Sequence, residues 1–136
     1  MTPVKPLVIS CGEPAGIGPE IAYKAWEAMR GDDLLVWLGD PRQLPRGANY
    51  AVISDVSAAA TVGAEALPIM DSDFGSMAAA GKPDPSHAAG VIGSIAQGVE
   101  LVQSGQAAGI CTAPIHKAAL IDGADFAYPG HTEYLA

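Results

Sequence analysis

Short apolar runs alternate with amphipathic segments along this chain of 136 residues, and that alternation restricts the fold more than any other feature. Continuous apolar runs bounded by turn signals are typical of strands buried in a parallel sheet. The runs that we predict as strands are residues 4–10, 34–38, 50–53, 67–70 and 107–112. Since helical patterns separate several of them, the sequence predicts an α/β fold, a mainly parallel sheet with crossover helices.

Two longer helices are predicted from apolar residues that repeat at helical spacing. The first begins at Pro19, ends near Gly31 and has Ile21 on its apolar face. The second begins after a cap at Ser86 and ends at Gly105. Its interior holds three glycines, Gly90, Gly93 and Gly98. Each glycine costs up to about 1 kcal/mol relative to alanine, so we expect close packing against another helix or a sheet there.

The charge balance is acidic, with 7 Lys and Arg against 15 Asp and Glu and a formal net charge of −8. A nucleic-acid surface needs clustered cations, so this balance predicts no nucleic-acid partner. A small anionic substrate stays compatible with it, because a pocket can be locally positive on an acidic protein.

The apolar pattern predicts no membrane segment, because no run approaches the roughly 18–20 residues that a spanning helix needs. Residues 1–10 also lack the features of a signal peptide. We therefore expect a soluble, cytoplasmic protein. The two cysteines, Cys11 and Cys111, each end an apolar run, which predicts two buried free thiols.

The first motif is GEPAGIGPE at residues 12–20, between a predicted strand and a predicted helix. A glycine-containing loop at a helix N-terminus can bind an anion through free N–H groups and the helix dipole. The motif matches neither the dinucleotide fingerprint nor the Walker loop. The alternative is a tight strand-to-helix turn whose glycines adopt positive φ, which the spacing alone favours, and both interpretations stay open.

The second motif, TAPIHK at residues 112–117, follows a predicted strand. Ligands of open α/β sheets bind outside the carboxyl ends of strands, where Thr112, His116 and Lys117 would suit an anion or a hydroxy acid. The alternative is an ordinary helix N-terminus with solvated His and Lys.

The third motif, YPGHTE at residues 128–133, places a histidine in a Pro-Gly loop. The His131 imidazole can hydrogen-bond a hydroxyl or a phosphate and can change charge near neutral pH. Thr132 can bind a ligand, cap a following helix or do both, and plain capping stays open as the alternative.

The chain contains three histidines, His87, His116 and His131, none at close spacing, so we assign no metal ligands. His87 is predicted to be a surface or packing residue. The scattered carboxylates are predicted to be solvated: Asp32, Asp33, Asp71 and Asp73.

Together, the three motifs resemble the 4-hydroxythreonine-4-phosphate dehydrogenase family of vitamin B6 biosynthesis. The segment from Gly81 to Gly90 is also similar to the family's entry into its long helix. The GIGPE element is similar to the opening loop of the isocitrate and isopropylmalate dehydrogenases, which share the family's general fold. The resemblance extends over nearly the whole chain.

The resemblance implies NAD- or NADP-dependent oxidation of the secondary alcohol of 4-phosphooxy-threonine, followed by decarboxylation. It also implies a divalent metal cation and a homodimer with active sites near the subunit interface. The family's substrate-contacting GHT motif falls on His131 and Thr132, the substrate-binding residues that we predict. No residue is assigned as catalytic.

Family members are considerably longer than this chain, and their metal-binding histidines lie downstream of the GHT motif. Residues 1–136 are therefore expected to be the N-terminal portion of a two-lobed α/β dehydrogenase, inactive alone. Two alternatives stay open. One is a paralogue acting on another phosphorylated hydroxy acid, such as a four-carbon sugar acid phosphate. The other is a non-catalytic, anion-binding fragment.

Overall fold

The computed structural model describes residues 5–62, 64–72, 74–75, 81–116, 120 and 135 of the chain. Its five strands form one sheet in the order β3-β4-β2-β1-β5, and every pair of neighbours is parallel. The strands are β1 (Leu7–Ser10), β2 (Leu35–Gly39), β3 (Tyr50–Val52), β4 (Leu67–Asp71) and β5 (Gly109–Thr112). The α-helices are α1 (Gly18–Met29), α2 (Ala59–Val62) and α3 (Ala88–Gln103). This architecture confirms the prediction of an α/β fold.

The two faces of the sheet bury different sets of side chains, because successive strand residues point to opposite sides. On one face, Ile9 and Trp37 pack in a cluster with Trp26 of α1. On the other, Val8 and Val36 pack in a cluster with Leu101 of α3. Strands β1 and β2 are thus covered on both faces, which explains why they read as continuous apolar runs.

Helix α1 confirms the predicted helix with one exception. It ends at Met29, two residues before Gly31, whose φ of 90° lies in the left-handed region. Ile21, which we predicted on the buried face, is 48% exposed, whereas Ala22 and Trp26 are buried.

The predicted cap at Ser86 is wrong. The carboxylate of Asp84 accepts the N–H of Ser86 at 2.9 Å and begins a short 3-10 helix, Pro85–His87, from which α3 continues at Ala88. Asp84 is the better cap because it precedes a proline, the preferred residue of a first turn.

Close packing of α3 against the sheet is confirmed at Gly98, where a methyl group would meet the side chain of Ile110 on β5. Gly90 is also closely packed, but against a residue outside the helices and strands: a methyl group there would lie 2.7 Å from the ring of Phe74. The prediction fails at Gly93, where no atom of the described residues lies within 4 Å of such a methyl group.

The two thiols differ in burial, so the prediction that both are buried is wrong for one of them. Cys11 is buried and its Sγ donates to the Oγ of Ser94 at 3.6 Å, whereas Cys111 is exposed on β5. Strand β5 is an outer strand among the described residues, so its side chains are covered less than those of β1. Within the part of the chain that the structure describes, no helix is long and apolar enough to cross a membrane.

Candidate functional site

The carboxyl ends of all five strands meet at one edge of the parallel sheet. In open α/β sheets this is the edge where ligands bind. The glycine loop after β1, the segment after β5 and the turn after β2 all begin here. The fold therefore brings the first two sequence motifs to the same edge of the sheet.

The glycine loop packs directly against the segment that follows β5. Gly12 has a φ of 65°, and a methyl group there would lie 2.8 Å from the Cβ of Ala113 and would also meet the carbonyl oxygen of Pro114. A methyl group at Gly18 would lie 2.6 Å from the carbonyl oxygen of Cys11. Backbone conformation and close approach account for both glycines, which favours the tight-turn interpretation of this motif.

The first turn of α1 is a poor anion site by its own composition. Pro19 has no N–H to offer, and Glu20 adds a carboxylate to the same turn. Glu20 forms an exposed ion pair with Lys24 at 3.0 Å. These features weigh against the anion-binding interpretation of the loop.

Glu13 is buried within the glycine loop, with 7% of its surface exposed. Its Oε1 accepts the N–H of Ala15 at 3.0 Å, and its own N–H donates to the carbonyl of Pro114 at 2.8 Å. The carbonyl of Ala15 accepts the N–H of Gly81 at 2.8 Å. The loop is thus bonded to two distant segments of the chain.

The second motif continues from the end of β5. Thr112 is paired in register with Ser10 of β1, and the Ser10 Oγ accepts the N–H of Ala113 at 3.3 Å. His116 is exposed four residues beyond the strand end. Lys117 lies outside the described residues, so the predicted group of Thr112, His116 and Lys117 is placed only in part.

A buried carboxylate that sequence reasoning missed, Asp40, follows β2 at the same edge. It accepts hydrogen bonds from the Nη2 of Arg42 at 2.6 Å, the Nε of Arg42 at 3.0 Å and the N–H of Phe74 at 3.0 Å. Burial opposes its ionisation, but the bonds from Arg42 and Phe74 outweigh burial and hold its pKa below the usual value. The signal that could have found it is the Asp-Pro-Arg sequence, which is typical of a capped turn.

An open cavity of about 500 Å³ lies between the glycine loop and the turn after β2. Pro14, Gly16 and Pro19 line one side, and Arg42 and Arg46 line the other. Because Arg42 already pairs with Asp40, Arg46 is the lining cation that the described contacts leave uncommitted. The cavity is a recess beside the glycine loop at the carboxyl edge of the sheet.

The described residues hold no cluster of three or more His, Cys, Asp or Glu side chains that could bind a metal ion. His87 is 1% exposed and its ring centroid lies 6.1 Å from that of Phe74, so it is a packing residue and not a surface one. His131 and Thr132 lie outside the described residues, and their role stays a prediction.

Comparison with known proteins decides the family. A family model described as pyridoxal phosphate biosynthetic protein PdxA matches residues 32–136. The chain belongs to the PdxA family. The match includes β2 to β5. It also includes the YPGHTE motif, with the side chains of His131, Thr132 and Glu133.

Curated PdxA relatives are enzymes named 4-hydroxythreonine-4-phosphate dehydrogenase. One from a Ruegeria species is 57% identical over 130 residues, which cover 96% of this chain and 40% of the relative. One from Paracoccus denitrificans is 47% identical over 136 residues, which cover 100% of this chain and 41% of the relative. The predicted family is confirmed, and the name of these relatives is that of a dehydrogenase, the enzyme class that the sequence predicts.

Solved PdxA structures share the fold. A 4-hydroxythreonine-4-phosphate dehydrogenase from Klebsiella pneumoniae superposes with a TM-score of 0.83 at 29% identity, over 98% of this chain and 43% of that one. One from Burkholderia phymatum gives a TM-score of 0.78 at 29% identity, over 99% and 43%. The chain thus spans about two-fifths of the length of the PdxA proteins that it matches.

Proposed function

We propose that residues 1–136 form the N-terminal portion of a two-lobed dehydrogenase that oxidises and decarboxylates 4-phosphooxy-threonine in vitamin B6 biosynthesis. The observation that carries this proposal is 57% identity to a 4-hydroxythreonine-4-phosphate dehydrogenase across 96% of the chain. The fold that the chain shares with the Klebsiella pneumoniae dehydrogenase, at a TM-score of 0.83, supports the same conclusion.

The proposed reaction needs a hydride acceptor, which NAD or NADP supplies when bound. The resemblance also implies a divalent metal cation. The resemblance places its histidine ligands downstream of the GHT motif, and the described residues hold no cluster of three or more potential metal-binding side chains.

His131 and Thr132 are the residues that we propose to contact the substrate. An imidazole and a hydroxyl can both hydrogen-bond a phosphate or an alcohol oxygen. Such groups would orient the substrate, and small errors of orientation are costly for a reaction that transfers a hydride. The support is their place in the GHT element within the segment that the family model matches.

Steady-state kinetics on the full-length protein test the proposal. We expect NADH or NADPH to form with 4-phosphooxy-threonine and a divalent cation, followed at 340 nm. His131→Ala should lower kcat/KM by about 100-fold, since a lost bond to a charged substrate group costs up to about 3 kcal/mol. The matched control is His87→Ala, at a packing residue, and it is compared with the wild type at equal folded fraction.

A substrate panel separates the dehydrogenase from its paralogues. A four-carbon sugar acid phosphate with a higher kcat/KM than 4-phosphooxy-threonine would contradict the proposed substrate and keep the enzyme class. Lack of turnover with every phosphorylated hydroxy acid would contradict the proposal that the protein is a dehydrogenase. Sedimentation of the same preparation tests the proposed homodimer, and fractionation of cells tests the proposed cytoplasmic location.

A further inference from the structure

The glycine loop and the segment after β5 are joined by one short backbone hydrogen bond. The N–H of Glu13 donates to the carbonyl of Pro114 at 2.8 Å, while Gly12 packs on Ala113. His116 lies two residues beyond Pro114 and is exposed at the carboxyl edge. The position of this segment therefore depends on the conformation of the loop.

The Glu13 side chain sets that conformation from inside the loop. Its Oε1 accepts the N–H of Ala15 at 3.0 Å, and its backbone carbonyl accepts the N–H of Gly16 at 3.0 Å. Glu13 thus closes the turn twice, through its side-chain oxygen and through its backbone carbonyl. The carbonyl of Ala15 is then presented to the N–H of Gly81 at 2.8 Å.

The Ala15 N–H depends on the Glu13 carboxylate for its partner. Ala15 is 4% exposed and Glu13 7%, and the bond between them is 3.0 Å long. A buried N–H that loses its acceptor costs free energy, so removal of the Glu13 side-chain oxygen should loosen the loop.

We propose that Glu13 is a positioning residue, whose side-chain hydrogen bond to Ala15 holds the glycine loop in the shape that seats Pro114 and fixes residues 112–116 at the ligand edge. This inference rests on the proposed function. Without the bond, the Ala15 N–H loses its partner and the loop relaxes. The N–H of Glu13, which donates to the carbonyl of Pro114, then moves with the loop.

Two substitutions in the full-length protein separate the hydrogen bond from the packing. Glu13→Gln keeps an oxygen that accepts the Ala15 N–H, whereas Glu13→Met keeps the side-chain length without an acceptor. Glu27→Met, at an exposed position of α1, is the matched control. Hydrogen exchange of a peptide covering residues 12–18 reads the loop, and kcat/KM reads the ligand edge.

We expect Glu13→Met to speed exchange in this peptide at least about tenfold and to lower kcat/KM by roughly tenfold or more. Glu13→Gln should stay within about twofold of the wild type in both, and Glu27→Met should change neither. The melting temperatures show whether each variant is folded. Where Glu13→Met does not fold, Glu13→Ala takes its place.

Three outcomes would overturn the inference. Loss of kcat/KM in Glu13→Gln with unchanged exchange would assign the effect to the charge. Full activity in a folded Glu13→Met would remove the positioning role. Failure of both Met and Ala variants to fold would make the role structural. Hydrogen exchange needs no turnover, so a wild type without dehydrogenase activity would count against the proposed function alone.

Discussion

Asp40 shows how a single buried side chain fixes the sheet edge. Its carboxylate joins the end of β2 to Arg42 and to the backbone of Phe74, and Arg42 also donates to the carbonyl of Gly75 at 3.1 Å. Phe74 in turn packs against His87 and Gly90 at the start of α3. One carboxylate therefore connects three segments that are distant in sequence.

Asp40→Asn is expected to lower the free energy of unfolding by about 2 kcal/mol at pH 7, because the bonds from Arg42 and Phe74 lose their charged acceptor. The folded-state pKa of Asp40 is lowered, so its contribution is complete above the unfolded-state pKa of about 4 and is lost as pH falls through the folded-state pKa. The difference between wild type and variant should therefore shrink in acid.

Equilibrium urea unfolding at pH 7 and at pH 3 measures both effects. Asp32→Asn, at an exposed position, is the control and should lie within about 0.5 kcal/mol of the wild type. An equal loss in the two variants, or a difference that grows in acid, would refute this account of Asp40.

The two thiols should differ in reactivity. Burial raises the pKa of Cys11 to about 12, and its Sγ is bonded to Ser94, so at pH 8 it offers almost no thiolate. Cys111 is exposed. Titration with a thiol-specific disulfide reagent should modify Cys111 quickly and Cys11 only after denaturation. Cys111→Ser should abolish the fast phase, and a fast phase that survives it would contradict the assignment.

At the scale of elements, the sequence predicts which strands and longer helices form better than it predicts where they begin and end. The apolar runs identify all five strands. Burial of their own side chains explains this for β1, β2 and β4, whereas β3 and β5 are outer strands of the described sheet with exposed or half-buried side chains. The predicted cap of α3 is wrong because Ser86 and Asp84 are both residue types that cap helices. Which of them caps depends on the 3-10 turn between them, whose stability a local pattern does not reveal.

The glycines of α3 offer a matched pair on one helix. Gly90→Ala should destabilise the protein by about 1–3 kcal/mol, because its methyl group would meet the ring of buried Phe74 at 2.7 Å. Gly93→Ala should stabilise it by about 0.5–1 kcal/mol, because alanine favours the helix and the described surroundings are open. Thermal or urea unfolding compares the two, and the same sign for both would contradict the packing described.

At the scale of the molecule, the sequence predicts a parallel sheet but not its strand order. Pairing of β1 with β5 joins residues about 100 positions apart, and no local pattern specifies such a partner. The same reason explains which parts of the candidate site the sequence predicts. The loops could be assigned to the carboxyl edge from their position after strands, whereas Glu13 and Asp40 gain their roles from contacts with Pro114 and Phe74.

The residues of this chain alone are expected not to reduce NAD or NADP. They span 40% of the Ruegeria relative, and their described part holds no cluster of potential metal ligands. A verified 136-residue preparation, assayed at 340 nm with 4-phosphooxy-threonine and a divalent cation, should show no turnover. The full-length protein is the positive control, and sustained absorbance growth from the short chain would refute the expectation.

The position of β1 between β2 and β5 has a consequence for synthesis on the ribosome. Leu7 pairs with Leu35 on one side, a partner made soon afterwards, but with Gly109 on the other. At roughly 5–20 residues per second, that second partner emerges several seconds later. Until then one side of the first strand has no native neighbour, so the nascent chain should be a chaperone client during that interval.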